Sequence, residues 1–297
     1  MERNWDTGNC ITRSFTGHTE SIYCIQFNKH VIISGSKDTS VKIFDINTTN
    51  LLHTLYGHQG SVLCILFNSE IIVSGSSDSM VIIWDFITHD IRFKLIGHSE
   101  SVLSVAIHNE FIISCSKDKT IKIWLQGSLV RTLHGHRAAV NSISVKNSII
   151  VSGSGDRCIK TWNLKTGECL STFTGHDRGI ACIKYNGKLI VSGSSDETIR
   201  IWDSNTTDCL LVLRGHKDLV RSIQISNNKL VSASYDGMIK LWDLQTGKLV
   251  LEFDGHTSRI FSVQFDDTRI VSCSQDGRII LFDFAIPSSV DHGFFVC

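Results

Sequence analysis

The stretch Gly175-His176-Asp177-Arg178-Gly179-Ile180-Ala181-Cys182-Ile183-Lys184-Tyr185-Asn186-Gly187-Lys188-Leu189-Ile190-Val191-Ser192-Gly193-Ser194-Ser195-Asp196-Glu197-Thr198-Ile199-Arg200-Ile201-Trp202-Asp203 carries the organisation of the whole chain. Its Gly-His pair recurs at His18, His58, His98, His136, His176, His216 and His256, with gaps of 40, 40, 38, 40, 40 and 40 residues. An Asp follows each His by 20 residues, from Asp38 to Asp276. A Ser precedes each Asp by four residues, and an aromatic follows it by six: Phe44, Trp84, Trp124, Trp162, Trp202, Trp242 and Phe282. A period near 40 residues is one supersecondary unit repeated, so the chain is an array rather than a set of unrelated elements.

Within the quoted repeat, Ile180 to Lys184 and Leu189 to Ser194 are short runs rich in β-branched residues. Ile199 to Asp203 and Leu210 to Leu213 follow, and Asn186-Gly187 and Ser195-Asp196 punctuate the series. Short strands with a turn signal every eight to twelve residues predict an antiparallel sheet. Four strands per repeat and seven repeats predict an all-β fold, a seven-bladed propeller. Antiparallel order puts the loop before the first strand and the turn after the second at one end of the blade. His176, Ser192, Asp196 and Trp202 are therefore expected to meet as a buried network that satisfies groups costly to bury alone. Catalysis needs one site, whereas this Ser-His-Asp set occurs seven times. It is read as a fold device, with no catalytic residue assigned. The repeats with Phe44 and Phe282 lack an indole donor, so their networks should be weaker.

The seventh repeat ends its third strand near Phe284 and shows no fourth, only a tail, 285–297, with the sole proline, Pro287. Residues 1–17 contain an orphan fourth strand: Cys10-Ile11-Thr12-Arg13-Ser14-Phe15 mirrors Cys169-Leu170-Ser171-Thr172-Phe173. Residues 1–297 are thus expected to form a single propeller whose last blade is completed by the N-terminal strand, hiding both edges.

The 29 basic and 29 acidic residues cancel, so no nucleic-acid or membrane partner is expected. No apolar run with a basic flank opens the chain, and no stretch approaches the ~18 apolar residues of a membrane span. The ten cysteines form no Cys-x-x-Cys pair. Cys24, Cys64 and Cys182 share a repeat column with Ser104, Ser142, Ser222 and Ser262, while Cys115 and Cys273 share another with Gly35, Gly75, Gly153, Gly193 and Ala233. Both columns read as small core positions, with cysteine acting as a small hydrophobe. No metal and no cofactor are expected, and reduced thiols suggest cytoplasm or nucleus.

A propeller offers a ring face, and function sits in what decorates it. Three positions per blade should surround the channel mouth. Among them are Tyr23, Lys37, Ser61, Ser77, Leu103, Lys117, Asn141, Gly179, Ala181, Arg221, Tyr235 and Arg259. Lys37, Lys117, Arg221 and Arg259 are basic and no member is acidic, although Glu20, Glu100 and Asp218 lie one position before the set. Cations with hydroxyls and amides at a concave mouth suit an anionic peptide.

Gly-His, then Ser-x-x-x-Asp, then the Trp-Asp pairs Trp84-Asp85, Trp202-Asp203 and Trp242-Asp243 resemble the WD40 family over the whole chain. The runs Gly135 to Asn141, Arg178 to Cys182, Val191 to Arg200 and Leu219 to Arg221 are similar to F-box/WD-repeat substrate receptors of the β-TrCP type. Asn4-Trp5 and Gly8 resemble the segment that links F-box and propeller there. The resemblance implies capture of a degron carrying two phosphoserines, as the substrate-reading part of a ubiquitin ligase receptor. It implies phosphate contacts from Lys37, Arg178 and Arg221. It implies supporting contacts from Tyr23, Ser61, Ser77, Leu103, Asn141, Gly179, Ala181, Tyr235 and Arg259. Lys37 stands where the family has Arg, which keeps the charge without the bidentate fork. With few residues before the first strand, the chain is not expected to dock a Skp-type adaptor directly. The alternative expectation is a general WD40 scaffold with no phosphate dependence.

Overall fold

Leu189-Ile190-Val191-Ser192-Gly193-Ser194 is a continuous run of apolar and small residues, and every residue from Ile190 onward is buried. A strand covered on both faces needs no polar alternation, and this second strand is sandwiched between neighbouring blades. The computed structural model describes Trp5 and residues 8–285. They form 28 strands in seven four-stranded antiparallel sheets. The fifth sheet runs outward from Ile180–Tyr185 through Leu189–Ser194 and Ile199–Asp203 to Cys209–Leu213. This is the expected all-β seven-bladed propeller, its outer strand starting one residue earlier than the sequence suggested. Each hydrophobic cluster joins strands of adjacent blades: Ile201, Leu213, Val220, Leu230 and Trp242 pack together across blades five and six.

The two small-residue columns are cross-strand partners. Cys24 faces Gly35, Cys64 faces Gly75, and Cys182 faces Gly193. Where the first partner is Ser, the second grows: Ser104 faces Cys115, Ser222 faces Ala233, and Ser262 faces Cys273. A Cβ on Gly193 would lie 2.6 Å from Cys182 Sγ and 2.7 Å from Val220 of the next blade. The pair thus has a fixed joint volume, as expected of a close-packed interior. Blade four departs, because Ile180 and Ile183 fill the space beside Gly153. Burial raises these thiols, to about 12 for Cys64 and Cys182, so they stay protonated.

The strand Ile11–Phe15 pairs antiparallel with Ile279–Asp283, from Ile11 opposite Asp283 to Phe15 opposite Ile279. It forms the outer strand of the sheet that otherwise comes from the C-terminal end. Upstream, Trp5 is 2% exposed. Its indole stacks on Phe284 at 4.3 Å and donates to the carbonyl of Asp267 at 2.6 Å. Lys229 Nζ lies 4.5 Å over the same ring. The tail positions 286–297, with Pro287, and Asn4 lie outside the described residues. Among the described residues, no helix is long and apolar enough to cross a membrane.

Deleting residues 1–16 removes both the outer strand and the Trp5 anchor. The expected result is a broadened, earlier thermal transition and concentration-dependent aggregation, because Ile279–Asp283 becomes an open edge. Scanning calorimetry with light scattering checks this; a transition as sharp and late as that of the full chain refutes the closure.

Candidate functional site at the ring mouth

The mouth is held by a buried chain of hydrogen bonds in each blade. In blade five, Trp202 Nε1 donates to Ser192 Oγ at 2.9 Å. Ser192 Oγ lies 2.8 Å from His176 Nε2, and His176 Nδ1 lies 2.7 Å from Asp196 Oδ2. The main-chain N–H of Asp177 donates to the same carboxylate oxygen at 3.0 Å. Burial lowers the pKa of His18, His98 and His176. A neutral ring facing a carboxylate donates from Nδ1, and its Nε2 then accepts the serine O–H. The four groups thus donate in one direction, from indole to carboxylate.

All seven blades make the His–Asp and His–Ser contacts. The indole bond is present in the five blades that carry Trp. In the Phe44 and Phe282 blades the chain is shorter by one link, and His256–Asp276 is 3.0 Å. Burial alone would raise the Asp carboxyls. Hydrogen bonds from the imidazole and from nearby main-chain or hydroxyl groups outweigh it, so Asp78, Asp196 and Asp236 sit at about 2.

The same turn fastens the mouth. Ser194 Oγ donates to the carbonyl of Gly179 at 3.0 Å and accepts from Asp196 N at 3.1 Å. Ser195 N donates to Gly179 O at 2.9 Å. The loop carrying Arg178 and Gly179 is thereby locked to the turn carrying Ser195. The equivalent lock sets Lys37 against Ser21 and Tyr235 against Leu219, at 2.9 and 3.0 Å.

The structure adds a feature the sequence did not signal. Every innermost strand carries a β-bulge at its second residue: the register skips from Ile22 to Cys24, from Ile180 to Cys182 and from Val220 to Ser222. The skipped residues are Tyr23, Leu63, Leu103, Asn141, Ala181, Arg221 and Phe261. A bulge re-aims a side chain beside a site. Here it turns Tyr23, Leu103, Asn141, Arg221 and Phe261 onto a central channel of about 380 Å³.

The predicted rim residues separate into groups. Tyr23 and Tyr235 pack on Phe261 at 5.0 and 5.6 Å, and the Arg259 guanidinium lies 5.1 Å over Tyr235. These form one aromatic cluster across blades six, seven and one. Asn141 Nδ2 donates to the carbonyl of Ile180 at 2.7 Å, so it also binds blade four to blade five. Ala181 is buried, Gly179 packs against Gly155, Ser61 and Leu103 are half-buried, and Ser77 is exposed. Lys37 Nζ pairs with Glu20 at 3.1 Å and Lys117 Nζ with Glu100 at 3.4 Å, all well exposed. Arg178, Arg221 and Arg259 have no carboxylate within ion-pair distance among the described residues. The lysines of the rim are neutralised within their own blades, and the free positive charge belongs to the arginines.

The Cys/Ser column is more than a small core position. Ile143, Ile183 and Val263 donate their N–H groups to Ser104, Ser142 and Ser222 of the preceding blade at 3.4, 3.1 and 3.1 Å. Two residues on, Gln224 and Gln264 accept from Phe265 and Phe27 at 2.7 and 2.6 Å, and Gln26 accepts from Phe67. These side chains stitch the inner strands round the channel. Repeat-by-repeat alignment of that glutamine column, which includes Lys184, was the available signal.

The WD domain, G-beta repeat family model matches residues 8–45, 49–85, 90–124, 127–163, 167–203, 207–243 and 247–283. A stretch of 53 residues is 43% identical to the probable E3 ubiquitin ligase complex SCF subunit sconB of Aspergillus terreus, spanning 18% of this chain and 8% of that protein. The sconB protein of Talaromyces marneffei is 42% identical over 52 residues, again 18% and 8% of the two chains. The crystal structure of the WD40 propeller domain of Doa1 is 26% identical with a TM-score of 0.86, covering 93% of this chain and 97% of that one. The computationally designed Ika8 protein is 29% identical with a TM-score of 0.75, covering 91% and 98%.

Ser192→Ala leaves the imidazole Nε2 and the indole N–H unpaired, whereas Ser272→Ala, beside Phe282, orphans only the imidazole. Each buried orphan costs about 1–3 kcal/mol. Urea denaturation should show the first variant losing about twice as much stability as the second; equal losses would remove the indole from the network.

Stability should also fall with acid in two windows. Below about pH 6.5 the unfolded chain protonates histidines that the fold holds neutral, so it binds more protons than the native state. Below about pH 4 the same holds for the depressed carboxyls, down to about 2. Both signs make stability rise with pH. Melting temperatures flat from pH 7 to 5 would refute the histidine assignment.

Proposed function

The chain belongs to the WD40 repeat family, and on that premise we propose that it is a non-enzymatic interaction module whose ring mouth reads a phosphorylated segment of a partner protein. In this reading it is the substrate-reading part of an F-box/WD-type ubiquitin ligase receptor, a role supported by its similarity to sconB proteins described as SCF subunits. The observation that carries the phosphate reading is Arg221. It stands at a bulge on the channel wall, half-buried and without a carboxylate partner among the described residues. Arg178 projects from the neighbouring blade's loop, exposed and equally without an ion pair. A guanidinium free of internal carboxylates is available for bidentate contact with a phosphoryl group.

The seven Ser-His-Asp sets support a non-catalytic role. Each serine hydroxyl is wholly buried and already engaged with its histidine. Lys37 contributes less than its charge suggests, because binding an anion competes with Glu20. That pairing, with the equivalent Lys117–Glu100 pair, favours the second reading, a scaffold without phosphate dependence.

Fluorescence polarisation with a doubly phosphorylated Asp-Ser-Gly-type peptide and its unphosphorylated twin decides between them. A charge-assisted hydrogen bond contributes about 1.5–3 kcal/mol. Arg221→Ala should therefore weaken phosphopeptide binding about ten- to a hundredfold. Lys37→Arg should hold or improve it, and rising salt should weaken it. Equal affinity for the two peptides leaves the scaffold reading.

A further inference from the structure

Lys184 is the one cation inside the channel that the rim reading does not use. It lines the channel together with Arg221, and no Asp or Glu lines it among the described residues. Lys184 belongs to the column in which Gln26, Gln224 and Gln264 accept an N–H from the next blade. A lysine has no acceptor. Nor does the Lys184 ammonium make any hydrogen bond or ion pair among the described residues.

The consequence falls on blade six. On its neighbours, the N–H groups of Ile183 and Tyr185, and of Val263 and Phe265, turn to the channel-side edge and are capped by side chains of the preceding blade. The same register on blade six presents the N–H groups of Ile223 and Ile225. Their facing side chains are Cys182 and Lys184. Cys182 donates its S–H to the carbonyl of Val220 at 3.4 Å, and no side chain caps Ile223 or Ile225 among the described residues. The junction of blades two and three, with Cys64 and Leu66, also lacks acceptors but carries no cation there. At the junction of blades five and six, the N–H groups of Ile223 and Ile225 face a thiol already engaged as a donor and an ammonium, which has no acceptor.

We propose that this wall of the channel is an oxyanion site, taking a phosphate-class anion on Lys184, Arg221 and the N–H group of Ile223. Both cations lie near Cys182: Lys184 is two residues along its strand, and Cys182 donates to the carbonyl of Val220, the residue before Arg221. Burial disfavours the Lys184 ammonium and lowers its pKa, and a bound anion would offset that penalty. Uncapped main-chain N–H groups beside cations can donate to an anion. The anion can come free from solution or as a phosphoryl group entering through the mouth. The site shares Arg221 with the rim reading and otherwise stands apart from it.

The test uses inorganic pyrophosphate, titrated by calorimetry into the full chain in chloride buffer at constant ionic strength. One saturable site is expected. Lys184→Gln should weaken it at least tenfold while melting as high as wild type or higher, because Gln supplies the N–H cap that the sister blades have. Lys184→Arg should retain binding. No saturable binding, or binding indifferent to Lys184→Gln, overturns the proposal. Competition with the doubly phosphorylated peptide separates the sources: mutual displacement that depends on Lys184 means a phosphoryl group enters, and simultaneous binding means a free anion. Phosphopeptide capture with no pyrophosphate binding sinks the channel site and leaves the rim reading standing. Pyrophosphate binding without phosphopeptide capture does the reverse.

Discussion

The structure depends on one arrangement repeated round the ring: a serine hydroxyl, an imidazole and a carboxylate buried in series, capped in five blades by an indole N–H. Each of these groups would be expensive to bury alone. Linked, they satisfy one another, and the carboxylate also holds the first main-chain N–H of the loop leading into the blade. The linkage crosses the blade from its third strand to its entry loop. It therefore sets how far the entry loop stands from the turn beside it, and those two segments are the rim. A change in this chain of bonds is felt at the mouth even though none of its atoms faces a ligand.

The rim works from that rigid base by local exceptions. One bulge in each inner strand redirects a single side chain per blade, and in six of the seven blades that residue lines the channel. What those seven positions carry differs round the ring: an aromatic group on one arc, leucines on another, a lone arginine on blade six. Charge follows the same logic. Lysines that can reach a glutamate on their own entry loop do so, and arginines without such a neighbour keep their charge available. Inner strands are joined by serine and glutamine side chains, so a lysine in the glutamine column is a local break in the stitching and a local excess of positive charge.

Much of the fold was legible because the His, Ser, Asp and aromatic columns combine period with chemistry. A buried imidazole and carboxylate at constant spacing admit few solutions, and seven copies remove the rest. The pairing of Ile11–Phe15 with the C-terminal strands followed from the same pattern, since Cys10 to Phe15 reads as a fourth strand with no repeat of its own. The site was legible only in part. Arg221 and Tyr23 stood out as members of a column, but the bulge that aims them is a backbone event with no marker in side-chain type. Glu20 stood out only as an acidic residue one position before the rim set, and it became the ion partner of Lys37, 17 residues on, through the turn geometry.

By itself the sequence determined the repeat, the strand order within a blade and the identity of the buried network, because local periodicity and the need to pair buried polar groups act within about 40 residues. Tertiary structure alone decided what depends on contacts between blades. The capping of one blade's N–H groups by the next and the uncapped donors beside Lys184 arise where two repeats meet. Such contacts join residues about 40 positions apart. Their energetics depend on distances of tenths of an ångström, which a repeat pattern does not encode.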